Sequence, residues 1–172
     1  MNSFIPDIYK KSIFDINYKL LKEKYNIKVL LYDFDNTIIE KGNYEVNKKT
    51  KNLFEKLSKD FIIYIVSNST NKNKLNKISK ELNLPYIGAS MKPFPRGYNK
   101  LKFKSIKNSE IAMIGDQLLT DILGANKKGY LSILVDPVVE NKEVIFTKIN
   151  RIFENRIYNN KKNKLSRGKY YD

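Results

Sequence analysis

Val29-Leu30-Leu31-Tyr32-Asp33-Phe34-Asp35-Asn36-Thr37 is an apolar run that stops at two carboxylates and a hydroxyl. Four large apolar residues in a row, without polar alternation, suit a strand covered on both faces. The same pattern recurs along the chain. Phe61 to Val66 runs into Ser67-Asn68-Ser69, and Ile111 to Ile114 into Gly115-Asp116-Gln117. Leu131 to Val135 reads as a further strand, and a short one at Pro85 to Gly88 precedes Lys92-Pro93. Between these runs lie helix candidates near 47–59, 72–83, 95–106 and 118–128, the last stopped by Lys127-Lys128-Gly129. Strands alternating with amphipathic helices predict an α/β fold, a parallel sheet flanked by helices.

In open α/β sheets, ligands bind in the crevice outside the carboxyl ends of the strands. The residues that follow each run therefore carry the functional reading. Asp33 and Asp35 are two apart, so both carboxylates can lean to one side at a strand end. One can attack phosphorus while the other handles the proton of the leaving group and then of water. Asp116 would complete a Mg²⁺ site with Asp33 and a backbone carbonyl, and Ser67 and Lys92 would face the transferring phosphoryl oxygens. Each piece alone has a structural reading: an Asx cap for Asp33 to Thr37, a helix N-cap for Ser67-Asn68, a solvated lysine for Lys92, a turn at Gly115. Their order, each after its own strand, joins them into one site.

Composition narrows the chemistry. With no Cys and no His, the chain has no thiol nucleophile, no Ser-His-Asp triad and no His/Cys zinc site. Acid–base work falls to carboxylates, Lys or Tyr, and any metal must be hard and oxygen-bound. The net charge is +15, and 29 of the 33 basic residues are Lys. Residues 141–172 carry 9 basic and 3 acidic groups, which makes the C-terminal part the most basic. Such a surface favours polyanions, either anionic phospholipid or nucleic acid. The longest apolar run, Phe61 to Val66, is too short to span a bilayer, and the N-terminus lacks the features of a secretory signal. The expected location is the cytoplasm, with peripheral attachment at the inner face of the membrane if the substrate is a lipid.

Asp33-x-Asp35-x-Thr37, Ser67, Lys92 and Gly115-Asp116…Asp121 together resemble the four motifs of the haloacid dehalogenase (HAD) superfamily. A closer resemblance, over almost the whole chain, is to the YqeG-type, HAD-IIIA family. It rests on Pro6-Asp7-x-Tyr9-x-x-Ser12-Ile13-Phe14-Asp15-Ile16, Lys92-Pro93-x-x-Arg96 and Gly115-Asp116-Gln117-Leu118-Leu119-Thr120-Asp121-Ile122-Leu123-Gly124-Ala125-Asn126. That family is grouped with the mitochondrial phosphatases that dephosphorylate phosphatidylglycerophosphate. The resemblance implies a Rossmann-like sheet, Mg²⁺ and an aspartyl-phosphate on Asp33, with Asp35 as general acid/base. It also implies Thr37, Ser67, Asn68 and Lys92 at the phosphate, Asp33, Asp35 and Asp116 at the metal, and Asp121 in support. Ser69 departs from it, standing where a second Asn would be expected.

Only 29 residues separate Thr37 from Ser67, and 24 separate Ser67 from Lys92. Neither gap has room for a cap domain once a helix and a strand are subtracted, and an open site suits a phosphate on something large. One phosphatase domain is expected over 1–158, comprising a family-specific segment at 1–28 and a basic amphipathic helix at 141–158, followed by a polar tail at 159–172. In that helix Ile145, Ile149, Ile152, Phe153 and Ile157 form one face beside Lys148, Arg151 and Arg156. Both this stripe and the apolar N-terminal residues Phe4, Ile5, Ile8, Tyr9, Ile13 and Phe14 could meet a membrane or pack on the domain itself. The leading functional reading is a phosphatase acting on phosphatidylglycerophosphate. The alternatives are a capless phosphatase for nucleotides, nucleic-acid ends or phosphoprotein, or a basic RNA- or ribosome-binding module on the same fold. No obligate protein partner is expected.

Overall fold

The run at Val29 becomes the middle of a six-stranded, wholly parallel sheet. The structure, a computed structural model, describes residues 4–138. The amphipathic helix expected over 141–158 and the tail at 159–172 lie outside the described residues. The strands are β1 (Ile8–Lys10), β2 (Val29–Tyr32), β3 (Ile62–Val66), β4 (Tyr86–Ile87), β5 (Ile111–Gly115) and β6 (Leu131–Val135), in the order β1-β6-β5-β2-β3-β4. The helices are α1 (Tyr18–Glu23), α2 (Lys48–Leu57), α3 (Lys72–Leu82), α4 (Pro95–Tyr98) and α5 (Leu123–Lys128). From β2 the chain builds outward through β3 and β4, then returns to build the other half from β5. The winding direction therefore switches at β2, which is where such sheets hold their ligands.

All four residues of β2 are fully buried, which is why the run shows no polar alternation. Its period-two geometry still sorts them. Leu30 and Tyr32 pack with Phe54, Leu75 and Ile78 on one face, while Val29 and Leu31 pack with Tyr98, Ala125 and Tyr130 on the other. Asparagine supplies the helix starts: the side chains of Asn17, Asn47 and Asn71 accept the N–H of Leu20, Thr50 and Lys74. Gly129, at φ +68°, ends α5 in the left-handed region, as the sequence predicts.

Three elements differ from the sequence reading. The helix expected over 95–106 stops at Tyr98. Beyond it Leu101, Phe103 and Ile106 lie half-buried against the Tyr98 side of the core and Lys100, Lys102 and Lys104 are exposed, a spacing that gives no helical face. The stretch expected to be one helix from 118 begins as a wide π-type turn, Leu118–Ile122, before α5. The N-terminal segment, for which contact with a membrane and packing on the domain were both open, packs on the domain and supplies strand β1 and helix α1, which the sequence reading did not place. Ile8, Ile13 and Ile16 are in the core, and Ile5 and Tyr9 pack on Leu118, Ile122 and Leu134. Asp7 fastens this strand to β6, its carboxylate accepting the backbone N–H of Ser132 at 2.8 Å and the hydroxyl at 2.9 Å. Tyr9 donates to Asp136 at 2.6 Å. Between Thr37 and Ser67 the chain forms only a loop, α2 and β3, and between Ser67 and Lys92 only α3 and β4. Neither stretch builds a second domain over the strand ends. Among the described residues no helix is long and apolar enough to cross a membrane.

Candidate active site

Asp33, Ser67, Lys92 and Asp116 each follow a strand of this sheet, so all four gather at its carboxyl edge. There a crevice of about 790 Å³ is lined by Asp33, Asp35, Ser67, Asn68, Lys92 and Gln117, among others. Its floor is charged and buried. The Lys92 ammonium lies 2.5 Å from Asp33 Oδ1, 2.8 Å from Asp121 Oδ1 and 2.6 Å from the Val66 carbonyl. The Asp33 carboxylate and the Val66 carbonyl accept hydrogen bonds from it, and Asp121 faces it as an ion pair. Lys92, expected to face the phosphoryl oxygens as a donor, donates here to the Asp33 carboxylate and brings its positive charge beside it. Burial alone would lower the Lys92 pKa, but the carboxylates of Asp121 and Asp33 outweigh it and hold the group above the usual lysine range.

One ammonium does not balance what surrounds it. Carboxylate oxygens of Asp33, Asp116 and Asp121, all buried, lie within 4.8 Å of one another. Three carboxylates against Lys92 leave an excess of negative charge in a largely buried place. Burial pushes the Asp33 carboxyl up to about 7, with Asp121 and Asp35 adding to the rise against the opposing pull of Lys92. A proton or a cation must make up the difference. An all-oxygen, buried, doubly negative cluster fits a hard divalent cation. The side chain of Asp35, a residue of the expected metal set, is not among these carboxylates.

Asp35 is instead held by a residue that the sequence reading passed over. Lys74 Nζ lies 2.6 Å from Asp35 Oδ1. The Lys74 side chain is only 6% exposed, and its ammonium stands 4.8 Å from the Phe34 ring centroid and 5.5 Å from that of Tyr44. The Asn71 cap sets Lys74 in the first turn of α3. Nothing in the sequence separates Lys74 from 28 other lysines; the signal is only its place in the turn after Ser67.

Two expected phosphate contacts are spent elsewhere. Asn36 takes a left-handed conformation, φ +64°, and its side chain accepts the Lys41 N–H at 3.0 Å. The chain reverses there, and Thr37 points away from the crevice. Its hydroxyl donates to Asp116 Oδ1 at 3.4 Å, and the residue lines a separate groove of about 480 Å³ with Phe14 and Asn47. Asn68 uses its side chain on the loop that carries Lys92. Its oxygen accepts the Lys92 N–H and the Ser90 hydroxyl, both at 2.8 Å, and its NH₂ donates to the Lys92 carbonyl at 3.0 Å. Thr37 therefore orients Asp116, and Asn68 orients Lys92. Ser67 keeps its expected place: its oxygen accepts the Ser69 N–H at 3.1 Å, which leaves the hydroxyl proton to donate into the crevice.

Gly115 explains why Asp116 follows a glycine. A Cβ at that position would sit 2.3 Å from Asp121 Cγ, so a side chain there must displace the carboxylate that holds Lys92. Asp121, expected only to support the site, is part of its charge cluster and also caps the next turn by accepting the Gln117 N–H at 3.1 Å. Gly115→Ala should therefore cut turnover of a soluble aryl phosphate by about tenfold or more through misplacement of Lys92. It should also cost about 1–3 kcal/mol of stability from overpacking. Initial rates normalised to folded protein, beside a urea melt, check both. A parent-like rate would show that Asp121 does not transmit its position to the nucleophile.

Comparison with known proteins agrees with this geometry. A family model described as Mitochondrial PGP phosphatase matches residues 1–140. The probable phosphatase YqeG of Bacillus subtilis is 35% identical over 155 residues, covering 90% of this chain and 89% of that protein. Among solved structures, the HAD-hydrolase YfnB of Bacillus subtilis, bound to magnesium, superposes with a TM-score of 0.55 at 14% identity, over 70% of this chain and 91% of its own. A hypothetical protein, XCC2798, from Xanthomonas campestris matches with a TM-score of 0.55 at 11% identity, over 76% and 75%. These two establish likeness of fold. With a parallel sheet that places an aspartate, a lysine and an acidic cluster at one crevice, this chain belongs to the PGP phosphatase family and is a phosphatase of the HAD superfamily.

Proposed function

We propose that the chain is a Mg²⁺-dependent phosphomonoesterase that works through an aspartyl-phosphate on Asp33, with phosphatidylglycerophosphate as its substrate. The observation that carries the mechanism is the Asp33–Lys92 contact of 2.5 Å inside a buried acidic cluster that opens onto the crevice. Lys92 holds one Asp33 oxygen and leaves the other to attack phosphorus. The carboxylates of Asp33 and Asp116, with the Asp35 main-chain carbonyl, would hold Mg²⁺. When bound, the ion supplies positive charge to the phosphoryl oxygens. Ser67 donates to the same oxygens from the crevice wall. Asp35, two residues beyond the nucleophile, gives its proton to the leaving alkoxide and then takes one from the water that hydrolyses the acyl phosphate. Two carboxylates suffice, which is consistent with a chain that has no His and no Cys.

The lipid substrate rests on different support. Nothing folds over the strand ends between Thr37 and Lys92, so the crevice admits a phosphate attached to a large body. The family description and the basic surface point the same way. Phosphate release from a panel of phosphatidylglycerophosphate, nucleotides, a phosphopeptide and sugar phosphates tests the assignment. The lipid should be hydrolysed at least tenfold faster, in kcat/KM, than any other member, and only with Mg²⁺ present. Asp116→Ala should shift the Mg²⁺ requirement upward by about tenfold or more. A nucleotide or phosphopeptide as best substrate would replace the lipid reading, and an unchanged metal titration would remove Asp116 from the ligand set.

A further inference from the structure

The turn that buries Lys92 exposes its neighbours. Phe94 N–H bonds to the Met91 carbonyl at 2.9 Å, closing a four-residue turn with Lys92 and Pro93 at its centre. Lys92 and Pro93 line the crevice, whereas Met91 is 52% and Phe94 58% exposed. Met91 is held outward by a left-handed backbone, φ +57°, and Asn68 grips the polar side of the same turn. Large apolar side chains thus stand on either side of Lys92, with nothing among the described residues covering them.

Their surroundings are cationic. Residues 82–109 contain six basic side chains, Lys92 and Arg96 among them, and no acidic one. From α5, Lys127 places its ammonium 6.0 Å from the Phe94 ring centroid, and Lys128 reaches Asn99 at 3.1 Å. Apolar tips in a basic field match the boundary of an anionic bilayer, where hydrocarbon and phosphate charge lie side by side. A soluble phosphorylated substrate would use the cations and leave Met91 and Phe94 unexplained.

We propose that the Met91–Phe94 turn, with Arg96 and Lys127, seats the crevice on an anionic membrane. Phe94 and Met91 enter the acyl boundary, and the headgroup phosphate is drawn past Lys92 and Pro93 to Asp33. This inference rests on the lipid-substrate reading above, and it places the membrane contact at the crevice itself.

The test uses the full chain carrying Met91→Asn and Phe94→Ser. Asn tolerates the left-handed region, so the turn should persist. Four measurements are made: co-sedimentation with phosphatidylglycerol vesicles and with phosphatidylcholine vesicles, binding to single-stranded RNA at the same salt, hydrolysis of phosphatidylglycerophosphate in vesicles, and hydrolysis of its short-chain, monomeric form. The parent should bind phosphatidylglycerol vesicles, and the variant about tenfold less, with a part of the parent's binding that survives high salt missing from it. Hydrolysis in vesicles should fall in step, while the short-chain lipid is turned over at the parent rate. If short-chain turnover falls too, Phe94→Ser alone, which leaves the left-handed Met91 in place, is measured in the same way. Vesicle binding equal to the parent's overturns the proposal, as does parent binding to single-stranded RNA in preference to vesicles. Failure of the parent to hydrolyse either lipid form overturns the substrate reading alone, because vesicle binding is scored separately.

Discussion

Asp33→Asn should leave a folded protein that has lost turnover by about four orders of magnitude or more. Asparagine fills the same volume and its oxygen can still accept from Lys92, so the 2.5 Å contact and the surrounding core need not change. What disappears is the anion. An amide oxygen does not form the acyl phosphate, and the buried cluster loses one of its three carboxylates and with it part of its hold on a cation. Rates on an aryl phosphate with saturating Mg²⁺, beside the urea midpoint, separate chemistry from stability. Beryllium fluoride with Mg²⁺ should add a tight, stoichiometric adduct on the parent and none on the variant. Near-parental turnover by Asp33→Asn would falsify the assigned nucleophile.

Asp35→Asn should divide substrates by their leaving groups. An alkyl phosphate needs its departing oxygen protonated, and loss of a positioned acid costs about 10²–10⁴-fold. An aryl phosphate, whose leaving group is stable as an anion, should lose far less. Lys74 gives this experiment a second arm. Its ammonium is 2.6 Å from Asp35, nearly buried, and stands over the Phe34 and Tyr44 rings. Lys74→Met keeps the stem and frees the carboxylate. We expect kcat on alkyl phosphates to fall by about tenfold with KM little changed, since a misoriented acid affects the reaction more than the binding. In the Asp35→Asn background the same substitution should add almost nothing, because residues that act through one another are not additive. Full additivity would mean that Lys74 serves the fold or the substrate directly. Equal losses on alkyl and aryl substrates in Asp35→Asn would remove Asp35 as the general acid.

The order of the site was legible along the chain. Asp33 and Ser67 sit directly after apolar runs, Asp116 one glycine beyond its run and Lys92 a few residues past a short one, and a strand end is a local feature that adjacent residues reveal. Asp33, Ser67, Lys92 and Asp116 were found that way, as was the parallel sheet, because buried strands read as unbroken runs. Their exclusion of thiol, imidazole and zinc chemistry needed only the absence of Cys and His. Tertiary structure decided the rest, where the deciding partner is remote in sequence. Strand β1 is three residues long, too short to show a period, and it exists because Asp7 meets Ser132, 125 residues away. Lys74 became distinct from the other lysines only when α3 set it beside Asp35, 39 residues earlier. Thr37 and Asn68 carry the right chemistry for phosphate, yet the reversal at Asn36 and the loop at Ser90 turn them to Asp116 and Lys92. Residue type and local pattern thus determined which groups reach the crevice edge; the packing of distant elements determined which of them face it and which hold the others in place.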